Sequence, residues 1–160
     1  MKKLYSSSSR LPEAARRKVI EALGACLADG LDLAGQIKQA HWNVKGPHFL
    51  TTHELFDKLT SSTVDTNDEV AERAVALGGL VRGTARHVAK TSRLPDLALE
   101  TVGDHDLVRL VAEAIEAHLD GLRSARTVAD EAGDDDTSDL LTGAITEFEK
   151  HGWFLHAHLD

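Results

Sequence analysis

The chain has 160 residues, of which 42% are hydrophobic and 4% aromatic, and its formal net charge is −8. This length suits one domain with a real hydrophobic core, and no run approaches the roughly 20 apolar residues of a membrane span. The acidic balance argues against a body built to bind nucleic acid. The single cysteine, Cys26, excludes internal disulfides and cysteine-rich zinc sites and suits a reducing cytoplasm.

The start, MKKLYSSSSR, is basic but lacks the apolar stretch of a secretory signal. Residues 1–11 are polar and serine-rich and are expected to form a flexible tail, with a single domain over residues 12–160. Lys2, Lys3, Arg10, Arg16, Arg17 and Lys18 stand against Glu13 alone, so residues 1–18 carry +5 and the remainder −13. Pro12 suits the first turn of a helix, with Ser9 upstream as a cap. From there Val19, Leu23, Cys26, Leu27, Ala34, Ile37, His41 and Val44 recur at steps of three and four, one face of a long helix that carries His41.

The string VKGPH (44–48) breaks this pattern as a tight connection. A second long helix follows over 49–77 and stops at Gly78-Gly79. In residues 80–103, TARHVAK reads as helical, Leu94-Pro95 as a turn and DLALE as a short helix. A third long helix over 104–132 ends at Gly133. Asp134, Asp135 and Asp136 then lead into a fourth over 137–159, where acidic residues and Thr137 suit capping and the helix dipole. The expectation is an all-α, ferritin-like four-helix bundle with a short extra helix in the long connection between helices two and three.

Chemistry concentrates in His41, His53, Asp57, Asp68 and Glu72. Imidazole and carboxylate together suit borderline and hard metals such as iron. At about 100° per residue, His53, Asp57, Asp68 and Glu72 point at about 0°, 40°, 60° and 100°, one face of the second helix. Asp57 and Asp68 lie eleven residues apart, about 16 Å along the axis, and one ion with bonds near ~2 Å cannot reach both pairs. Two antiparallel copies, related by a two-fold axis near residues 62–63, would set His53 and Asp57 of one against Asp68 and Glu72 of the other. His41 would join from the end of the first helix. The Glu-x-x-His motif of sites inside a single bundle does not occur. The plainer reading is a solvated carboxylate face and a histidine satisfied in the core. Asp65, Glu54 and Glu69 on the same helix show that spacing alone is not unique.

Residues 39–79, QAHWNVKGPHFLTTHELFDKLTSSTVDTNDEVAERAVALGG, closely resemble the Dps family, the mini-ferritins known as DNA-binding proteins from starved cells. The shared elements are HWN, the following glycine and phenylalanine, H-x-x-x-D, D-x-x-x-E, AER and GG. The resemblance extends through DDDTSDLLT (134–142) and the Trp-Phe of the last helix.

Several things are implied by this resemblance. His41, His53, Asp57, Asp68 and Glu72 would form a ferroxidase site across a two-fold interface, with about two irons (Fe2+/Fe3+) per site and Zn2+ or Mn2+ as substitutes. Asp68 and Glu72, with the partner's His41, would hold the tighter iron. Twelve chains would form a hollow shell that oxidises Fe2+ with hydrogen peroxide, or more slowly with O2, and stores the ferric product, in the cytoplasm or at the nucleoid. The competing reading is a nucleoid protein that binds and compacts DNA through its basic arm. The sparse tail and acidic body make DNA the weaker partner, and no membrane partner is expected.

Trp42 follows a ligand directly, and Trp153 is read as near the same region. In the family such tryptophans stand close to the site; the plainer reading is core or interface. Asp130, Glu131, Asp134, Asp135, Asp136 and Asp139 read either as a capped, solvated loop or as a negative three-fold pore drawing Fe2+ inward. His48, His87, His105, His118, His151, His156 and His158 show no metal spacing, and Cys26 reads as core.

Overall fold

The structure, a computed structural model, describes residues 3–160. Lys2 of the basic arm lies outside the described residues. The elements are α1 (Glu13–Asn43), α2 (Phe49–Ala76), α3 (Ala85–Thr91), α4 (Asp104–Ala132) and α5 (Asp135–Leu159). Four are long and α3 is a seven-residue helix in the excursion between α2 and α4, so the ferritin-like bundle with a short extra helix is what the chain forms. Among the described residues the sole β feature is an isolated bridge between Lys45 and Gly103. No helix among them is long and apolar enough to cross a membrane.

Periodicity explains the packing. Val19, Leu23, Cys26, Leu27, Leu33, Ile37 and Ala40 of α1 are buried, and so are Leu107, Val111, Ile115 and Leu122 of α4. These stripes meet Phe56, Leu59 and Val70 of α2 and Leu141, Phe148 and Leu155 of α5 in one continuous core. Two antiparallel hairpins, α1–α2 and α4–α5, pack through α1 against α4, and α3 lies on α1. Cys26 belongs to this core. Its thiol donates to the Gly121 carbonyl, and burial pushes it up to about 11, so it is no reactive thiolate.

Helix ends are set by identifiable groups. Gly133 takes the left-handed conformation (φ 69°) as the C-cap of α4, where glycine alone carries no Cβ penalty. The fourth long helix starts two residues earlier than 137, because Asp134 is its N-cap. The Asp134 carboxylate accepts from the Thr137 backbone N–H and hydroxyl, and Arg73 of α2 donates to it at 2.6 Å. Ser9 does not cap α1; its hydroxyl accepts from the Leu11 N–H instead.

The excursion is tied down by polar anchors on α1. Asp29 is buried and receives the backbone N–H of Arg93 (2.9 Å) and its guanidinium (2.9 and 2.6 Å). Gln36 and Gln39 donate to the carbonyls of Pro95 and Leu97. Those bonds tie 95–97 to α1 in a non-helical path with the Leu97 side chain buried, so DLALE forms no helix despite its composition. Residues 3–11 cross the end of α2, where Tyr5 N–H donates to the Gly78 carbonyl and the Ser7 hydroxyl to Ala76.

Candidate metal centre

His41 occupies the last turn of α1 and is 9% exposed. The turn after Asn43 reverses the chain and brings the first turns of α2, with His53, against it. The two imidazoles stack at 3.7 Å between centroids. Nδ1 of His41 lies 2.8 Å from the His53 carbonyl, and Nδ1 of His53 lies 2.9 Å from the His41 carbonyl. A carbonyl only accepts, so both Nδ1 atoms carry a proton, and in the neutral rings both Nε2 atoms keep a lone pair. This is how proteins orient histidines for metal binding.

Asp57, one turn beyond His53, is exposed and paired with Lys38 of α1 at 2.5 Å. The Lys38 hydrogen bond holds its carboxyl below the usual range, so it is an anion at neutral pH. Lys38 therefore balances Asp57 in the isolated chain, and a cation binding there would compete with it.

Asp68 and Glu72 are both exposed and lie on the same face of α2, further along. Between the two pairs stands Val64, at about 20° on the same helical projection and 52% exposed. The face carrying His53, Asp57, Asp68 and Glu72 is thus largely uncovered in one chain, with an apolar residue at its centre. His41, His53 and Asp57 gather at one end, and Asp68 and Glu72 stay apart from them.

Trp42 is 71% exposed and Trp153 64%, so neither is a core residue. Trp153 packs on Phe154 with centroids 5.0 Å apart. Of the acidic cluster, Asp134 is buried against Arg73 and Thr137 as a cap, whereas Asp130, Glu131, Asp135, Asp136 and Asp139 are exposed. Within the basic segment, Arg16 donates to the Leu77 carbonyl at the end of α2 and Arg17 pairs with Glu13. His118 and His151 are buried in the bundle, flanking Phe148.

A group that periodicity did not reveal lies near the α1–α2 turn. His48, Asp104 and His105 offer ligand atoms all within 4.8 Å of one another, the one such group of three among the described residues. His48 stands more than fifty positions before the adjacent Asp104 and His105, and backbone contacts of the α1–α2 turn with residues 102–104 bring them together.

A family model described as ferritin-like domain matches residues 20–160. The DNA protection during starvation protein of Agrobacterium fabrum is 37% identical over 158 residues, 99% of this chain and 98% of its own length. DNA protection during starvation protein 2 of Bacillus anthracis is 35% identical over 90% of this chain and 98% of its own. Among solved structures, DpsC from Streptomyces coelicolor superposes with a TM-score of 0.93 at 30% identity, covering 99% of this chain and 92% of its own.

Proposed function

The chain belongs to the Dps family of ferritin-like proteins, and from that premise we propose that it is a ferroxidase and iron store of the cytoplasm. Ferrous iron is oxidised, preferentially by hydrogen peroxide, at sites shared between two copies, and the ferric product is kept inside a hollow shell of twelve. The observation that carries this reading is the uncovered face of α2. Its ligands form two separated half-sets around exposed Val64, and an antiparallel second copy would complete both at once.

In this reading the Nε2 atoms of His41 and His53 and the carboxylates of Asp57, Asp68 and Glu72 bind ferrous iron as substrate. Two ferrous ions each give one electron to peroxide. The O–O bond breaks, and two protons complete two waters. Zinc or manganese, which accept the same nitrogen and oxygen donors, would compete for the site. Trp42, exposed and next to His41 in sequence, would take stray oxidising equivalents. The exposed acids of 130–139, without Asp134, would line the inward path of Fe2+.

The DNA protection in the relatives' names fits removal of ferrous iron and peroxide together. Direct DNA binding is the subordinate reading, because Arg16 and Arg17 are engaged within the chain. The test is anaerobic Fe2+ loading followed by peroxide, with native mass measured in parallel. Asp68→Ala with Glu72→Ala should abolish rapid oxidation and leave the assembly intact; wild-type rates in that variant would overturn the site.

A further inference from the structure

The α1–α2 turn docks on the entrance to α4. Lys45 N–H donates to the Val102 carbonyl at 2.8 Å. Asp104, 5% exposed, accepts from the His48 backbone N–H through Oδ2 (2.8 Å) and from the His105 N–H through Oδ1 (2.9 Å). Gly46 makes this approach possible: its φ is 144°, and a Cβ there would sit 2.6 Å from the Asp104 carboxylate. His48 Nδ1 stands 3.3 Å from Asp104 Oδ2. The His48 and His105 rings are 5.6 Å apart, and His158, from the last turn of α5, lies 5.9 and 6.3 Å from them. Its Nε2 contacts the buried Thr52 hydroxyl at 3.1 Å.

We propose that His48, Asp104 and His105 form a second metal site, which takes a divalent transition cation of the zinc class, with His158 placed as a fourth ligand. Tetrahedral bonds of roughly 2.0–2.1 Å put ligand atoms about 3.3 Å apart, and His48 and Asp104 already stand at that separation. The remaining gap closes by rotation of His48 and His105, both exposed. Backbone N–H groups orient the Asp104 carboxylate and leave further lone pairs for a cation. Imidazole with carboxylate is the donor set for zinc and its neighbours. A bound ion would clamp the α1–α2 turn to the start of α4 and the end of α5. The site is five residues, about 7.5 Å of helix rise, from His53, and it does not depend on the iron-oxidation reading.

Cobalt(II) titrated into the full-length protein tests this, read by its visible absorption and by bound metal per chain. His48→Ala with His105→Ala should lose one ion per chain and keep peroxide-driven iron oxidation. Asp68→Ala with Glu72→Ala should retain that ion whatever happens to oxidation, so the two readings fail separately. Zinc should raise the Tm of the Asp68/Glu72 variant by several degrees and leave the His48/His105 variant without that shift. Asp104→Asn, whose single amide oxygen keeps one of the two backbone bonds, should lose the ion, with helix content checked by circular dichroism. Unchanged cobalt stoichiometry in His48→Ala with His105→Ala would overturn the site and leave a simple His48–Asp104 contact.

Discussion

His41 and His53 hold each other: each ring's Nδ1 donates to the other residue's backbone carbonyl, at 2.8 and 2.9 Å, with the rings stacked between. Both acceptors are main-chain atoms, so replacing one side chain removes that ring and its bond but leaves the acceptor for the other ring. His53→Ala should therefore weaken metal binding by about 10–100-fold, with native mass and helix content unchanged. Isothermal titration with ferrous iron under argon checks the affinity. Collapse of the assembly in His53→Ala would instead assign the pair a structural role.

His118 gives the bundle a pH dependence. It is 2% exposed beside Phe148, and burial pushes it down to about 4. The unfolded chain takes up its proton near the ordinary value of about 6.5, whereas the folded chain resists until about 4. Stability is complete above ~6.5 and is lost as pH falls through that window, by about 3 kcal/mol in all. Urea unfolding of wild type and His118→Leu at several pH values measures this, and the variant should show the flatter profile. Equal slopes would contradict it.

Arg93 is the charged link among the anchors that tie the excursion to α1. Removing its guanidinium leaves the Asp29 carboxylate, 1% exposed, with only the Arg93 backbone N–H. Breaking a fully buried pair costs roughly 3–5 kcal/mol. Arg93 is half exposed, so solvent screening reduces the expected loss for Arg93→Ala to about 2 kcal/mol. Chemical denaturation checks the size, and a change below about 0.5 kcal/mol would show that the anchor is not needed.

Much of this architecture is legible in the chain itself. The step of three and four from Val19 to His41 marks the buried face of α1, and Gly133 marks the end of α4. His53, Asp57, Asp68 and Glu72 fall on one face because 3.6-residue periodicity is local. What was hidden depends on contacts between distant segments. Gln36 and Gln39 tie the carbonyls of Pro95 and Leu97 to α1 and override the helical composition of DLALE. Asp134 reads as a capping acid in a run, but its burial rests on Arg73, 61 positions earlier, which pairs with its carboxylate. His48 and His105 carry no mutual spacing; the docking of the α1–α2 turn on residues 102–104 makes them neighbours.

In the proposed reading, each iron site is completed by a second copy of the chain. Co-assembly of two inactive variants tests it most directly: His53→Ala with Asp57→Ala, mixed in equal amounts with Asp68→Ala with Glu72→Ala. If sites form between copies, random mixing pairs two intact half-sites in about one quarter of positions, and rapid peroxide-driven oxidation returns to about that fraction of wild type. If each chain held its own site, the mixture would stay as inactive as its parents, and the account would be wrong.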